Sequence, residues 1–266
     1  MCSPNTTGLS KIDFRITDAV VDPEDTKQLF TEKLIRMPDC FLCFTPSLEA
    51  GNVVPLPCLV NGFVTFGSFN NLAKINSNVI KVWASILKAV KNSRLVVKCK
   101  PFNSQTIKDH FLGAFEKEGI DATRIDLLSL LPHNGAHLQS YQFMDLSLDT
   151  FPYNGTTTTC EGNWYCSDLS SFVAALYMGV PVITLTQESN HVHNVGRTIL
   201  ASIGHPSWIA NTQEEYIQKA VELASDFDKL KELRTSLRTK MLNSNLCNPK
   251  KFTRDLESIY TKILEK

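Results

Sequence analysis

Residues 63–90 read FVTFGSFNNLAKINSNVIKVWASILKAV, and this stretch decides the fold. Phe63 to Phe66 is a short run of β-branched and aromatic residues, the composition of a strand. After Ser77, whose hydroxyl suits an N-cap, Val79, Ile80, Trp83, Ile86, Leu87 and Val90 recur at helical spacing and so share one face. A strand and an amphipathic helix joined by a polar loop form half of a strand–helix–strand unit. The alternation continues downstream. Strand-like runs lie at Arg94 to Lys98, Ile125 to Leu128, Leu146 to Leu148 and Val180 to Leu185, with a sixth near Trp208 to Ala210. Helical patterns lie at Ser104 to Glu118, His137 to Met144, His193 to Ile203, Thr212 to Ala224, Phe227 to Met241 and Thr253 to Leu264. Such alternation predicts the α/β class, a Rossmann-like parallel sheet flanked by helices.

Upstream the pattern changes. The first 57 residues hold half of the chain's prolines, and the one helical candidate there is Pro23 to Met37. It has Asp22 as N-cap, Pro at the first helical position and acidic Glu24 and Asp25 in the first turn. The rest reads as connector or as the end of something larger, so the chain divides into residues 1–58 and a domain of residues 59–266.

Composition narrows the function. With 43% hydrophobic and 20% charged residues the chain is an ordinary globular protein. Lys plus Arg and Asp plus Glu both number 27, which leaves no basic excess to hold nucleic acid or an anionic membrane. The most apolar stretch, Phe172 to Leu185, is broken by Gly179 and Pro181 and falls short of the roughly 18 residues a membrane span requires. The first ten residues lack a signal-peptide core. Eight scattered cysteines fit reduced thiols in the cytoplasm or nucleus. Cys40 and Cys43 have Cys-x-x-Cys spacing without a second pair, and Asn134-Gly135 interrupts any helix joining His133 to His137. No metal site is expected.

In an open parallel sheet, ligands bind beyond the carboxyl ends of the strands. No Gly-x-Gly-x-x-Gly and no Gly-Lys-Ser/Thr follows the first strand, which disfavours dinucleotide dehydrogenases and P-loop enzymes. Lys74, with Asn71 beside it, can neutralise a phosphate from the Gly67–Ile75 loop, or can simply be a solvated lysine in a turn. The segment Asp149 to Glu161 (DTFPYNGTTTTCE) is more pointed. Gly155 can take a positive φ, and a run of threonines at a helix start offers hydroxyl and backbone donors to a pyrophosphate. Glu161, further on, can accept from ribose hydroxyls. Neutral histidines from the 133/137 and 191/193 pairs suit a polar site wall. Lys98 and Lys100 end the second strand; one facing the cleft and a solvated strand end are equally good readings.

Together, FVTFGSFNNLAKI, SRLVVKCKPF, DTFPYNGTTTTCE and ALYMGVP resemble the catalytic region of the SPINDLY-type protein O-fucosyltransferases, which are related to the O-GlcNAc transferases. PNTTGL, DFRITD and DCFLCFTPS in the first 58 residues match the same family. The resemblance implies the C-terminal half of a GT-B glycosyltransferase. Residues 1–58 would be the tail of the N-terminal catalytic half, and residues 59–266 the nucleotide-sugar-binding domain. It implies transfer of fucose from GDP-fucose, or GlcNAc from UDP-GlcNAc, to Ser or Thr of cytoplasmic and nuclear proteins, with no metal or other cofactor. Carried over by motif, Lys74 stabilises the departing diphosphate, with Asn71 in the same loop. Thr156, Thr157 and Thr158 bind the diphosphate, Glu161 holds the ribose, and His137 lines the nucleotide pocket.

Two departures from the family pattern qualify this. The tetratricopeptide repeats and first catalytic half that precede PNTTGL in the family are not in this chain, so the alternative is a non-catalytic nucleotide-binding or regulatory module. Gly162 to Ala174 (GNWYCSDLSSFVA) interrupts the family string CEALYMGVP. Such an insert reads as translated intron sequence, with Ser167 and Asp168 able to cap a new helix near Leu169.

Overall fold

Three of the eight strands among the described residues are buried at every position, the mark of parallel strands covered on both faces. In the computed structural model, which describes residues 6–46, 50–129, 134–155, 171–186 and 190–265 (134–136 by backbone alone), the expected alternation is present. In chain order the elements are β1 (Phe14–Asp18), β2 (Lys33–Met37), α1 (Cys58–Asn61), β3 (Val64–Ser68), α2 (Ser77–Ala89), β4 (Ser93–Lys98), α3 (Gln105–Lys117), β5 (Ile125–Leu128), α4 (Asn134–Gln139), β6 (Leu146–Leu148), α5 (Ser171–Tyr177), β7 (Val182–Leu185), α6 (His191–Ser202), β8 (Ile209–Ala210), α7 (Gln213–Ser225), α8 (Phe227–Leu242) and α9 (Pro249–Leu264).

The main sheet has six strands in the order β5-β4-β3-β6-β7-β8, and each pairing is parallel. That is the doubly wound order of a Rossmann sheet: the chain winds outward from β3 through β4 to β5, then crosses back to β6 on the other side. The reversal therefore falls between β3 and β6.

Packing explains why the helices lie where the periodicity puts them. In α2, Val79, Ile80, Trp83, Ile86 and Leu87 are buried, and Trp83 Nε1 donates to the Tyr216 hydroxyl of α7 at 3.4 Å. The cap is one residue earlier than expected: the Asn76 carboxamide accepts from the backbone N–H groups of Asn78 and Val79, and Ser77 is the first helical residue. α5 ends at Gly179, whose φ of +76° belongs to the left-handed region. A Cβ there would stand 2.6 Å from the Arg234 carbonyl, so both conformation and space call for glycine.

The first segment departs from expectation. No helix spans Pro23 to Met37; residues 33–37 instead form β2, paired in parallel with β1. Its helical punctuation is overridden by tertiary partners. Asp22, the supposed cap, is fully buried and binds His191 and Thr17. The side chain of Arg36 donates to the carbonyls of Asp22 and Pro23. Nor is this segment separate in packing, because Val21, Cys40, Ala50, Leu56 and Cys58 belong to the same buried core as the main sheet. Asp145, just before β6, fastens the junction by accepting from the N–H groups of Cys58 and Thr65 at 2.9 and 2.8 Å.

Candidate functional site

The winding reversal brings the loops after β3, β4 and β6 to one edge of the sheet. Asn71 accepts from Ala73 N–H at 3.0 Å and so caps a single 3-10 turn, Leu72–Lys74. That turn aims Lys74 across the reversal at the loop after β6. Its Nζ donates to the Asn154 carbonyl at 2.9 Å and lies 4.2 Å from the centre of the Tyr153 ring. Lys74 is thus no solvated surface lysine. Burial lowers its pKa to about 8, opposed by the nearby Asp149 carboxylate, which favours the charged form.

Asp149 organises the receiving loop. One carboxylate oxygen accepts from the N–H groups of Thr150 and Gly155 at 2.9 and 2.7 Å, the other from the Thr184 hydroxyl at 2.7 Å. Burial raises its pKa to about 6 against the pull of those donors and Lys74. The Tyr216 hydroxyl donates to the Asp149 carbonyl at 2.8 Å, which ties the loop to α7 and, through Trp83, to α2. Asn154 is buried as well; its amide donates toward the Thr150 and Leu185 carbonyls, and its side-chain oxygen accepts from Gly196 N–H in α6. The loop is a rigid platform.

Gly155 is required by space, and the positive φ suggested for it is not adopted. A Cβ on it would fall 2.5 Å from Asn70 Oδ1, 3.0 Å from Ser171 Oγ and 3.1 Å from Asp149 Oδ1. Asn70 is the hub of this contact: buried, it accepts from the Ser171 hydroxyl at 2.8 Å and donates to Ser68 Oγ at 3.2 Å. It joins the loop after β3 to the start of α5.

On the other side of β3, Lys98 is buried and Lys100 exposed, which decides which lysine at the end of β4 faces inward. Lys98 Nζ lies 2.7 Å from His137 Nδ1 and 2.5 Å from Ser140 Oγ. Burial, then the charge of Lys98, lowers the His137 pKa to about 4, so its ring is neutral at physiological pH.

Of the residues the sequence singled out, Lys74 and His137 are half-buried at this edge. Asn71 is exposed and spends its carboxamide on the cap. Thr156, Thr157, Thr158 and Glu161 lie outside the described residues, as do His133 and the proposed Ser167/Asp168 cap. His191 is not part of this wall, since its Nδ1 is 2.8 Å from Asp22 in the core. Among the described residues no cluster of three or more His, Cys, Asp or Glu side chains could hold a metal ion. Asn70, Asp149, Asn154 and Tyr216 were missed: a polar residue at a strand end looks the same in sequence whether it is solvated or buried as a strut.

The Rossmann-like parallel sheet, with polar loops gathered at its switch point, is the fold of one half of a GT-B glycosyltransferase. Residues 56–256 match Glycosyl transferase family 41, and the chain belongs to that family. It is 53% identical, over 99% of its length, to an Arabidopsis thaliana protein named probable UDP-N-acetylglucosamine–peptide N-acetylglucosaminyltransferase SPINDLY. The tomato (Solanum lycopersicum) protein of the same name is 53% identical over 97% of the chain. The chain spans only 27% and 26% of the lengths of these relatives. Among solved structures, a mutant O-GlcNAc transferase of Thermobaculum terrenum superposes with a TM-score of 0.84 at 30% identity, covering 98% of this chain and 46% of that one. S. aureus TarM, at 9% identity and a TM-score of 0.55 over 85% of this chain and 39% of its own, shares the fold alone.

Proposed function

We propose that this chain is the donor-binding half of a nucleotide-sugar-dependent protein O-glycosyltransferase. The observation that carries the reading is Lys74, a half-buried ammonium held against the loop after β6 at the sheet's switch point, in a family 41 chain. In the reaction, the bond between the sugar's anomeric carbon and the diphosphate breaks while a Ser or Thr oxygen of the acceptor bonds to that carbon and gives up its proton. Negative charge grows on the departing diphosphate, and an ammonium already desolvated and positioned stabilises it without reorganising solvent. Thr156, Thr157 and Thr158 would add donors to the diphosphate, Glu161 would accept from the ribose, and His137 would line the nucleotide pocket. Lys74 takes the neutralising part that a divalent ion takes in other transferases, so chelating divalent cations is expected to leave nucleotide binding unchanged.

The donor is GDP-fucose or UDP-GlcNAc, and the acceptors are cytoplasmic and nuclear proteins. Likeness to the SPINDLY type supports fucose in the sequence reading, whereas the relatives' names specify UDP-N-acetylglucosamine. Calorimetric titration of the folded chain with GDP and with UDP separates the two, and a transfer assay on a Ser/Thr peptide tests catalysis. Saturable uptake of one nucleotide is expected; uptake of neither would refute the reading. A second reading, a nucleotide-binding module without catalysis, draws on the insertion of Gly162 to Ala174 directly after Glu161. It predicts uptake without transfer.

A further inference from the structure

Lys98 is a buried amine whose role the proposed chemistry leaves open. Only 2% of it is exposed, and among the described residues its hydrogen-bond partners are a ring nitrogen, a hydroxyl and a backbone carbonyl, with no carboxylate. A long cation placed there without a counter-ion is destabilising unless its donors are used.

The geometry shows how they are used. Ser140 Oγ is 2.5 Å from the His137 carbonyl and can only donate to it, so toward Lys98 the same oxygen acts as acceptor. Lys98 Nζ also lies 4.4 Å from the centre of the Phe69 ring, a contact that favours the ammonium over the neutral amine. The remaining short contact, 2.7 Å to His137 Nδ1, then requires a lone pair on that nitrogen. In a neutral imidazole with an unprotonated Nδ1, the proton is on Nε2.

We propose that Lys98 is a positioning residue that locks His137 as its Nε2–H tautomer and so presents a neutral N–H donor to an acceptor oxygen of the bound nucleotide. The nucleotide part of this inference rests on the donor-binding reading above; the tautomer part does not. Three features converge on the ring. Nδ1 is held from the end of β4, Ser140 fixes the backbone carbonyl of His137, and Phe69 and Tyr141 pack against the imidazole with ring centroids 6.3 and 5.8 Å away. Nε2 is on the opposite side of the ring from Lys98, and His137 as a whole is only partly buried. The low pKa of His137 is consistent with a ring that must donate while staying uncharged, and a phosphate arriving nearby would favour the charged form of Lys98, whose pKa burial lowers to about 7.

The test starts from the unmutated chain with ¹⁵N-labelled histidine rings. Long-range ¹H–¹⁵N spectra near neutral pH, with His137 assigned by the signals lost in His137→Gln, are expected to show Nε2 protonated and Nδ1 unprotonated. An Nδ1–H tautomer, or an imidazolium, overturns the proposal without touching the functional reading. GDP and UDP are then titrated into the same sample. The Nε2 and Hε2 signals are expected to move with whichever nucleotide calorimetry shows to bind. Binding that leaves them in place overturns the positioning role while the functional reading stands, and absence of any binding removes both. Lys98→Met, similar in length and without donors, is expected to release the tautomer preference and weaken nucleotide binding by about tenfold, the scale of one well-placed hydrogen bond. If Lys98→Met fails to fold, the spectra of the unmutated chain still decide.

Discussion

Lys74 illustrates how one residue's setting turns a surface reading into a chemical one. Its ammonium is held by the Asn154 carbonyl and the face of Tyr153, within reach of the loop that begins the threonine run. Lys74→Ala is expected to weaken nucleotide binding by about 2 kcal/mol, roughly thirtyfold, the worth of one charge-assisted contact. Thermal unfolding should barely change, because a half-exposed lysine contributes little to the core; calorimetry beside a melting curve reads both. The pH dependence has a definite sign. With its pKa lowered to about 8, Lys74 is charged below that pH and neutral above it, while a nucleoside diphosphate stays fully ionised. Affinity should therefore fall as pH rises through that value and level off once the roughly thirtyfold contribution of the charge is lost. The part of the fall due to Lys74 should vanish in Lys74→Ala, and an identical profile in both proteins would place the diphosphate elsewhere. Gly155→Ala works on stability instead. The added methyl meets Asn70, Ser171 and Asp149 oxygens at once, and chemical denaturation should register a loss of about 1–3 kcal/mol, typical of overpacking.

At the scale of elements, period and punctuation succeeded where a segment's own residues make most of the decision. β5 and β6 have the expected limits, and α2 and α8 differ by one residue at an end. Asn76 rather than Ser77 caps α2, since both are good caps and only the backbone geometry chooses between them. Asn76→Ala is expected to cost about 1 kcal/mol in a denaturant titration, with Ser77→Ala near neutral. The segment from Pro23 to Met37 failed because capping signals are worth about 1 kcal/mol each, whereas β2 pairs along its whole length with β1 and the buried Asp22 is held by His191, 169 residues away. α5 carries a consequence for the insert. The described helix begins at Ser171, and its first four residues, Ser171 to Ala174, are buried inserted residues. Inserted residues therefore hold the core positions directly before Ala175, where Thr158 to Glu161 would stand in sequence if CEALYMGVP were continuous. Sequencing transcripts across this point is expected to reveal a form lacking codons 162–174; finding none would make the insert a constitutive part of the protein.

Over the whole molecule, the first segment is tied to the domain by a buried polar network beside the apolar contacts it shares with the core. Asp22 binds His191 at 2.8 Å and the Thr17 hydroxyl. Asp18 accepts from the Thr198 hydroxyl at 2.8 Å, and Asn194 Nδ2 donates to the Val21 carbonyl at 3.1 Å. Burial pushes the Asp22 carboxyl upward, but its hydrogen bonds with His191 and Thr17 outweigh that and leave it below the usual carboxylate value. Removing one partner strands the other in the core, so His191→Ala is expected to destabilise the fold by about 3–5 kcal/mol. Limited proteolysis should then cut between β1 and β2 well before it cuts the six-stranded sheet; simultaneous cleavage of both would mean that the network does not hold the segment.

The sequence by itself determined the alternation of strand and helix and the parallel sheet, because period and composition act over a few residues and are written in order along the chain; the candidacy of Lys74 and His137 came from family motifs that are equally local. Only the tertiary structure decided that Lys98 rather than Lys100 turns inward, that Asp149, Asn154 and Asn70 are buried struts, and that residues 33–37 form a strand. Each of these depends on partners distant in sequence: a polar side chain is stable in the interior only when another element brings the matching donor or acceptor, and no local pattern records that meeting.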